Sequence, residues 1–466
     1  MRSSSVARWT ASLVVITVFI STIAGALTAA PPAPAPSPAS RPATAPAKFK
    51  VATYNILCLN RDLKAVVETI RKADADFVAI QEANEASVAY FRKELGKDYP
   101  HIVGDALDPS GGRGLAILSR TPLTDRRYLP PQFAWCGTQF VTAQLGGRKV
   151  LAVNVHLIST SPIKADLKSM AALFTATEGT RIKEIKRIVE NLPKDQDAPI
   201  IMLGDFNSPS RLSAPQYLLA SGFIDSMGAI TSDPDMHPTW RWEQRPDLLR
   251  IRLDYVFHTP QLRTLDCRII PCDASDHYPV VSTLQWRPAG KVTLFGLTAP
   301  ADNVVYISDC AGNMIDTFDT VRREIMESIK GLEPEQSFFV MFFGLGNGPP
   351  REMKAKSLLR PTTQSVKETE DFVKTIRPDG QTQAFTAVTR AFELLKDRHG
   401  SCTIYLVTCG DFGDNKKVID LLATLNKDKK VKVNIILMDK SQETAKVLKK
   451  IAEDNGGQFK QATRTP

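Results

Sequence analysis

Between positions 48 and 287 the chain repeatedly closes a short apolar run with a carboxylate, an amide or an imidazole. Thr53-Tyr54-Asn55, Gln81-Glu82, Asn154-Val155-His156, Gly204-Asp205-Phe206-Asn207 and Ser275-Asp276-His277 stand at or near the ends of such runs. Arg252-Leu253-Asp254-Tyr255 opens another. Apolar runs of this kind read as strands. Polar groups at strand tips converge on one rim of a sheet, where functional loops lie.

The runs alternate with amphipathic segments. Strands are expected at 48–56, Phe77–Gln81, Gly114–Ser119, Lys149–His156, Pro199–Leu203, Leu253–His258 and Val280–Trp286. Helices are expected at Leu63–Ala73, where Val66, Val67 and Ile70 share a face, and at Thr177–Asn191. Arg287-Pro288-Ala289-Gly290 marks a boundary, because Pro and Gly break regular structure. Beyond it strands at Val304–Ser308, Ser337–Phe343, Thr403–Thr408 and Val433–Met438 accompany helices at Thr317–Lys330, Ala384–Lys396, Lys416–Leu425 and Glu443–Asp454. Strands alternating with helices imply a parallel sheet covered on both faces.

The residue types at the strand tips suit phosphate-ester hydrolysis. That reaction must neutralise phosphoryl charge, activate water and stabilise the leaving oxygen. Oxygen ligands such as Glu82 and Asp276 suit magnesium, manganese or calcium better than zinc. Asn55 and Asn207 can donate amide hydrogens to a phosphate. A histidine oriented by a carboxylate can act as acid, base or charge stabiliser. Taken singly, each residue has a plainer reading as a turn, a loop or a solvated side chain; the ordered set points to function.

The same motifs, in this order, resemble the endonuclease/exonuclease/phosphatase superfamily, which includes deoxyribonuclease-I-like enzymes. The resemblance covers about residues 48–287 and rests chiefly on GDFN followed by SDHYPV. It implies a four-layer α/β/β/α sandwich of two mostly antiparallel sheets with helices outside. It further implies Glu82 as the main metal ligand, with Asn55 beside it and Asp276 assisting. Asp205 would position or deprotonate the attacking water, Asn207 would hold a phosphoryl oxygen, and His277 would contact the scissile phosphate. Asp254 would orient a histidine. His156 would stabilise the pentacovalent state or protonate the leaving group. Mg2+ is the expected ion, with Mn2+ or Ca2+ as alternatives.

Other residues near these motifs are open to two readings. Arg113 in Gly111-Gly112-Arg113-Gly114 is a candidate phosphate contact or part of a surface loop. Trp240 and Trp242 offer stacking surfaces or anchor a packed corner. Lys164 and Lys168 extend a basic surface or solvate a helix. His101, His258 and His399 read as structural or surface residues, and His237 lies in a loop of the substrate rim.

Residues 291–466 resemble a von Willebrand factor type A domain, a doubly wound parallel-sheet (Rossmann-like) fold. The resemblance rests on Val304-Val305-Tyr306-Ile307-Ser308-Asp309 with Ala311, Asn313 and Met314, on Thr382, and on Tyr405-Leu406-Val407-Thr408. The family's metal-holding turn is degenerate here. Asp309-Cys310-Ala311-Gly312-Asn313 lacks both serines, Cys409 stands where an aspartate is expected, and Asp411 is displaced. The resemblance therefore implies the fold and a structural or protein-docking module, with a protein partner in place of a metal.

The N-terminus carries Arg2 and Arg8, an apolar run from about Ala11 to Ala26, then small residues. This describes a secretory signal peptide over 1–30, the alternative being an uncleaved anchor. Residues 31–47, PPAPAPSPASRPATAPA, form an extended Pro/Ala-rich linker. A secreted, periplasmic or cell-surface protein with no stable membrane span after cleavage is expected. Seven cysteines in an exported chain leave at least one unpaired, and Cys267 with Cys272 are near enough in sequence to bridge. The net charge of +9 favours polyanionic partners such as extracellular nucleic acid. The leading expectation is a secreted metal-dependent hydrolase of phosphate esters, chiefly phosphodiesters. The alternatives are a non-catalytic adhesion or assembly protein and a phospholipid headgroup phosphodiesterase, for which no large apolar surface loop stands out.

Overall fold

Strand Lys48–Asn55 pairs in parallel with Phe77–Gln81 on one side and antiparallel with Val280–Trp286 on the other. Around this centre a six-stranded sheet forms in the order Leu262–Ile269, Val280–Trp286, Lys48–Asn55, Phe77–Gln81, Leu115–Ser119, His101–Asp105. A second six-stranded sheet runs Leu123–Leu129, Thr138–Leu145, Arg148–His156, Ile200–Asp205, Asp254–His258, Ile224–Asp225, with one parallel pair in its middle. These coordinates are a computed structural model that describes residues 47–58, 60–110, 112–159, 167–193, 198–242, 249–344, 349–410, 412 and 415–462, the side chains at 167–171 and 173 excepted. The signal-peptide and linker readings fall outside that range, apart from Ala47. Lys164, the side chain of Lys168, Gly111 and Asp411 fall outside it as well.

Three apolar layers separate the four structural ones. Val51, Phe77, Ala79 and Ile117 of the first sheet face Val141, Ala152, Ile201 and Leu203 of the second. Helices Leu63–Ala73 and Glu85–Leu95 cover the outer face of the first sheet through Val66, Ile70, Val88 and Phe91. Helices Leu167–Glu190 and Ser213–Ala220 cover the second through Ile185, Ile188, Ala214 and Leu218. Each large side chain buried this way contributes about 1.5–3 kcal/mol. Alternation along the strands therefore fixes which polar residues can reach the rim.

Local signals explain the helix starts. Asp62 accepts a hydrogen bond from the Ala65 backbone N–H and begins the helix Leu63–Ala73. Asn84 and Ser87 cap each other reciprocally at the start of Glu85–Leu95. Glycine is required at Gly204, where φ is +150° and an added Cβ would lie 1.9 Å from the Val155 carbonyl oxygen.

The C-terminal residues form a third sheet in the order Arg351–Glu352, Ser337–Phe343, Asn303–Asp309, Cys402–Thr408, Val431–Leu437, Phe459–Gln461. All its pairings are parallel except the edge strand Arg351–Glu352. Strands Asn303–Asp309, Ser337–Phe343 and Cys402–Thr408 are buried at every position, the mark of a sheet covered on both faces.

The Arg287–Gly290 segment breaks regular structure, but it is pinned. Arg287 is buried, its Nη1 lies 2.9 Å from Asp302 Oδ1, and Glu333 and Glu335 flank its Nε. Arg263 pairs with Glu335 at 2.8 Å, and Phe223 meets His399 edge to face at 5.0 Å. All seven cysteines carry free thiols, so Cys267 and Cys272 are not bridged. Among the described residues no helix is long and apolar enough to cross a membrane.

Candidate active site

Three neighbouring strands of the second sheet bring His156, Asp205 and Asp254 side by side. His156 pairs with Asp205 in the parallel register, and Asp254 pairs with Asp205 in the antiparallel one. On the first sheet Asn55 pairs with Gln81, and Glu82 follows at the same tip. The two rims meet at Asn55, whose Nδ2 donates to Glu82 Oε1 and to Asp205 Oδ2, each at 3.0 Å. Beneath this contact Gln81 Nε2 donates to Asn154 Oδ1 at 2.7 Å, a buried bridge between the sheets. Gln81 and Asn154 belong to the sequence motifs, yet nothing in the sequence assigned them this bracing role.

Glu82 and Asn207 both hold positive φ, +60° and +49°. Asparagine tolerates this conformation, whereas glutamate is strained by about 1–2 kcal/mol. Such strain clusters at functional sites. Glu82 accepts from Asn55 and, through Oε2, from the Cys58 backbone N–H at 2.7 Å. Burial works against its ionisation, but His156 and these two donors outweigh burial and hold it below the usual carboxylate range.

Two histidines face Asp205. His156 Nε2 and His277 Nε2 each lie 3.7 Å from Asp205 Oδ2, and His156 Nε2 lies 3.8 Å from Glu82 Oε1. His277 Nδ1 sits 2.9 Å from Asp254 Oδ2, which also accepts from Thr239 Oγ1 at 2.6 Å. Burial would lower the pKa of His277, yet Asp254, then Asp205 and Asp276, raise it well above the ordinary value. His156 follows the same logic: burial lowers it, while the Cys136 sulfur and the carboxylates of Asp205 and Glu82 push it up to about 10.

The Ser275-Asp276-His277 turn is fastened to the first sheet. Ser275 Oγ donates to the Asn55 carbonyl at 2.8 Å and accepts from the His277 backbone N–H at 3.1 Å. Asp276 Oδ2 accepts from Trp240 Nε1 at 2.9 Å. Trp240 and Trp242 are 8% and 7% exposed. They form a packed corner rather than a stacking surface, because segment Thr239–Arg241 adds a rung beside His277. His237 remains exposed.

Asn207 donates both amide hydrogens inside the protein, to the Leu157 carbonyl and to Asp205 Oδ2, each at 3.1 Å. Asn55 likewise directs its amide at two carboxylates. In this arrangement both asparagines hold Asp205 in place, and phosphate contact through Asn207 would require re-pairing. Arg113 is half exposed and pairs with Asp108 at 2.9 Å. Its loop lies against the Glu82 turn, since a Cβ at Gly114 would meet the Ala83 carbonyl oxygen at 1.7 Å. His258 is fully buried, His101 partly so, and His399 lies at the seam between the two halves. Sequence reading gave no role to Cys136, whose Sγ stands 3.4 Å from His156 Nδ1.

Ligand atoms of Asp205, Asp254 and His277 lie within 4.8 Å of one another in a buried cluster. His277 and Asp254 already satisfy each other there, so the cluster reads better as an oriented histidine beside Asp205. Glu82 fits a hard cation better. It is an ionised carboxylate at the open rim, with the oxygens of Asn55 and Asp276 as the other candidate donors.

In the C-terminal half Asp309 Oδ2 accepts from Thr382 Oγ1 at 2.9 Å and Thr408 Oγ1 at 3.3 Å, while Oδ1 accepts from the Ala311 N–H at 2.8 Å. Asn313 is an exposed residue of the short helix Gly312–Met314.

Two face-packed sheets covered by helices, with acid, amide and imidazole groups meeting at one rim, define an α/β/β/α sandwich. Residues 52–277 match the Endonuclease/Exonuclease/phosphatase family, so this stretch carries a domain of that family. No curated protein sequence matches the chain. Similar solved structures include D. rerio TDP2 complexed with a single-strand DNA product, at 18% identity over 51% of this chain and 99% of that one, TM-score 0.42. The human Nocturnin catalytic domain with bound sulfate shares 16% identity over 52% and 95%, TM-score 0.41. An endonuclease/exonuclease/phosphatase from Beutenbergia cavernae shares 18% over 53% and 75%, TM-score 0.40.

Proposed function

We propose that this chain is an exported, divalent-metal-dependent phosphoesterase acting on phosphodiesters. The observation that carries this reading is the meeting of Glu82, Asp205, His156 and His277 from two sheets, with both histidine Nε2 atoms 3.7 Å from one Asp205 oxygen. Glu82 would hold the cation, Mg2+ by its preference for few carboxylates and retained waters, with Asn55 and Asp276 beside it. The ion supplies neutralising charge to the phosphoryl oxygens.

The chain's own groups supply the rest. Asp205, held by Asn55 and Asn207, accepts the proton of the attacking water. His277, kept protonated by Asp254, donates to a phosphoryl oxygen. His156 donates toward the leaving oxygen from the other side. Export is supported by the basic, apolar, small-residue pattern of residues 1–30, and extracellular nucleic acid suits the positive net charge. The reading of two domains, 48–287 and 291–466, is supported by the separate sheets on either side of Arg287–Gly290. The second domain, of von Willebrand type A kind, is read as a protein-docking module, because threonine hydroxyls already occupy Asp309.

A second reading, phospholipid headgroup diesters, is favoured by Phe133 and Trp135, which are 43% and 47% exposed on the segment leading to Cys136. Purified protein should hydrolyse bis(p-nitrophenyl) phosphate with magnesium, manganese or calcium, and chelator or Asp205→Ala should abolish turnover. A panel of plasmid, single-stranded DNA, RNA, nucleotides, inositol phosphates and sphingomyelin vesicles assigns the substrate. Absence of hydrolysis across the panel by folded protein, or turnover indifferent to chelator, overturns the proposal.

A further inference from the structure

The two histidines of the rim are held by different chemistry. His277 presents Nδ1 to the carboxylate of Asp254 at 2.9 Å. His156 presents Nδ1 to the thiol of Cys136 at 3.4 Å, ordinary hydrogen-bond range for sulfur. Both members of the second pair are buried, at 5% and 2% exposure. On its far side Cys136 Sγ also lies 3.5 Å from the Gly112 carbonyl oxygen.

A thiol has one proton and the carbonyl can only accept. If the S–H donates to Gly112, the sulfur is left as an acceptor toward the imidazole. His156 then donates its Nδ1–H to the sulfur and turns its second N–H, on Nε2, toward Glu82 and Asp205. That Nε2 is buried without a hydrogen-bond partner. It lies just beyond hydrogen-bond range of both carboxylates, at 3.8 and 3.7 Å. Such an atom suits a group brought by substrate. The sulfur thus sets ring orientation, and it ties the Gly112–Arg113 loop to the ring.

We propose that Cys136 is the positioning residue of His156: its sulfur, braced by the Gly112 carbonyl, takes the Nδ1–H and fixes Nε2 on the Glu82–Asp205 cleft. The catalytic part of this inference rests on the phosphodiesterase reading, whereas the ring-orientation part does not.

The two parts are separated by two measurements on the full chain. Side-chain 15N NMR of the histidines, with the His156 signals identified by their loss in His156→Gln, should show Nδ1 protonated in the wild type. Cys136→Ala should shift these signals and speed exchange of the Nδ1 proton with water, while Cys136→Ser, which keeps an acceptor, should retain the wild-type pattern. In diester hydrolysis Cys136→Ala should lower kcat roughly 10- to 100-fold, the scale found for partners that orient an imidazole. KM should stay within about 2-fold, and Cys136→Ser should recover most of the rate. Unchanged His156 signals in Cys136→Ala overturn the inference even if the wild type hydrolyses no diester. Equal rate loss in the serine and alanine variants, with both still folded by thermal denaturation, also overturns it, since packing alone would then be responsible.

Discussion

Asn55 Nδ2 stands 3.0 Å from Asp205 Oδ2, although Asn55 ends a strand of one sheet and Asp205 a strand of the other. The same amide reaches Glu82. One neutral side chain therefore separates two carboxylates, the buried Asp205 and the half-buried Glu82, and locks the sheets in register at the rim. Asn55→Asp replaces the shared donor with a third carboxylate. Unpaired buried polar groups cost about 1–3 kcal/mol, so urea unfolding should show a loss of that size. A displacement of about 1 Å costs roughly 100-fold in rate, and diester kcat/KM should fall at least that far. A variant with wild-type stability and turnover would remove Asn55 from the centre of the site.

Asp254 acts through His277. Its carboxylate favours the charged ring, so His277 stays protonated well above the ordinary histidine range. Asp254→Asn removes that stabilisation and lowers the His277 pKa. Loss of a positioned acid typically costs 10²–10⁴-fold, and kcat is expected to drop by about this much. The alkaline limb of the kcat profile should also move to lower pH. If the rate falls and the limb stays in place, the rate-limiting acid is a different group.

Much of the rim was legible because each motif adjoins a buried run, and a buried strand announces itself by composition. Leu63–Ala73 and Phe77–Gln81 fall where periodicity places them. The edge strands Leu123–Leu129 and His101–Asp105 gave weaker signals, since the first is mostly exposed and the second half-buried throughout. Helix Glu85–Leu95 was announced only by the Asn84 and Ser87 capping pair. Helix Thr363–Thr375 carries the same kind of box at Thr362 and Ser365. Cys136 and Thr239 could not be found by spacing. Their roles arise from contacts with His156 and Asp254, 20 and 15 positions away, and neither residue type advertises them. Trp240 was ambiguous for a related reason: an indole beside an active site stacks or packs depending on whether its N–H finds a partner, and Asp276 is that partner.

His258 makes the seam between the halves sensitive to acid. It is fully buried, its Nδ1 donates to the Thr259 carbonyl at 3.0 Å, and its Nε2 accepts from Thr264 Oγ1 at 2.8 Å. Both nitrogens are satisfied in the neutral ring. Burial accordingly depresses the pKa from 6.5 to about 4. In the unfolded chain the ring protonates near pH 6.5, and in the folded chain it resists until about pH 4. The stability it contributes is complete above pH 6.5 and is lost as pH falls through about 4, amounting to roughly 3 kcal/mol. The unfolding free energy of the wild type minus that of His258→Gln should therefore shrink by about this much between pH 7.5 and 4. A difference independent of pH would show that the ring titrates alike in the folded and unfolded chain.

Arg287 turns an apparent break in the chain into a joint. Its guanidinium is buried against Asp302 at 2.9 Å, with Glu333 and Glu335 beside it. Asp302 in turn accepts from the Ser401 backbone and hydroxyl at 2.9 Å. Removing one partner of a buried ion pair strands the other charge and costs about 3–5 kcal/mol. Arg287→Ala should lower the unfolding free energy by that amount and split a single urea transition into two, because the sandwich and the parallel sheet then lose a buried polar coupling. Limited proteolysis should cut the variant between residues 287 and 301 well before the wild type. Arg287→Met, which restores apolar volume without charge, separates packing from pairing: if it unfolds like the wild type, the ion pair contributes nothing and the joint is held by shape alone.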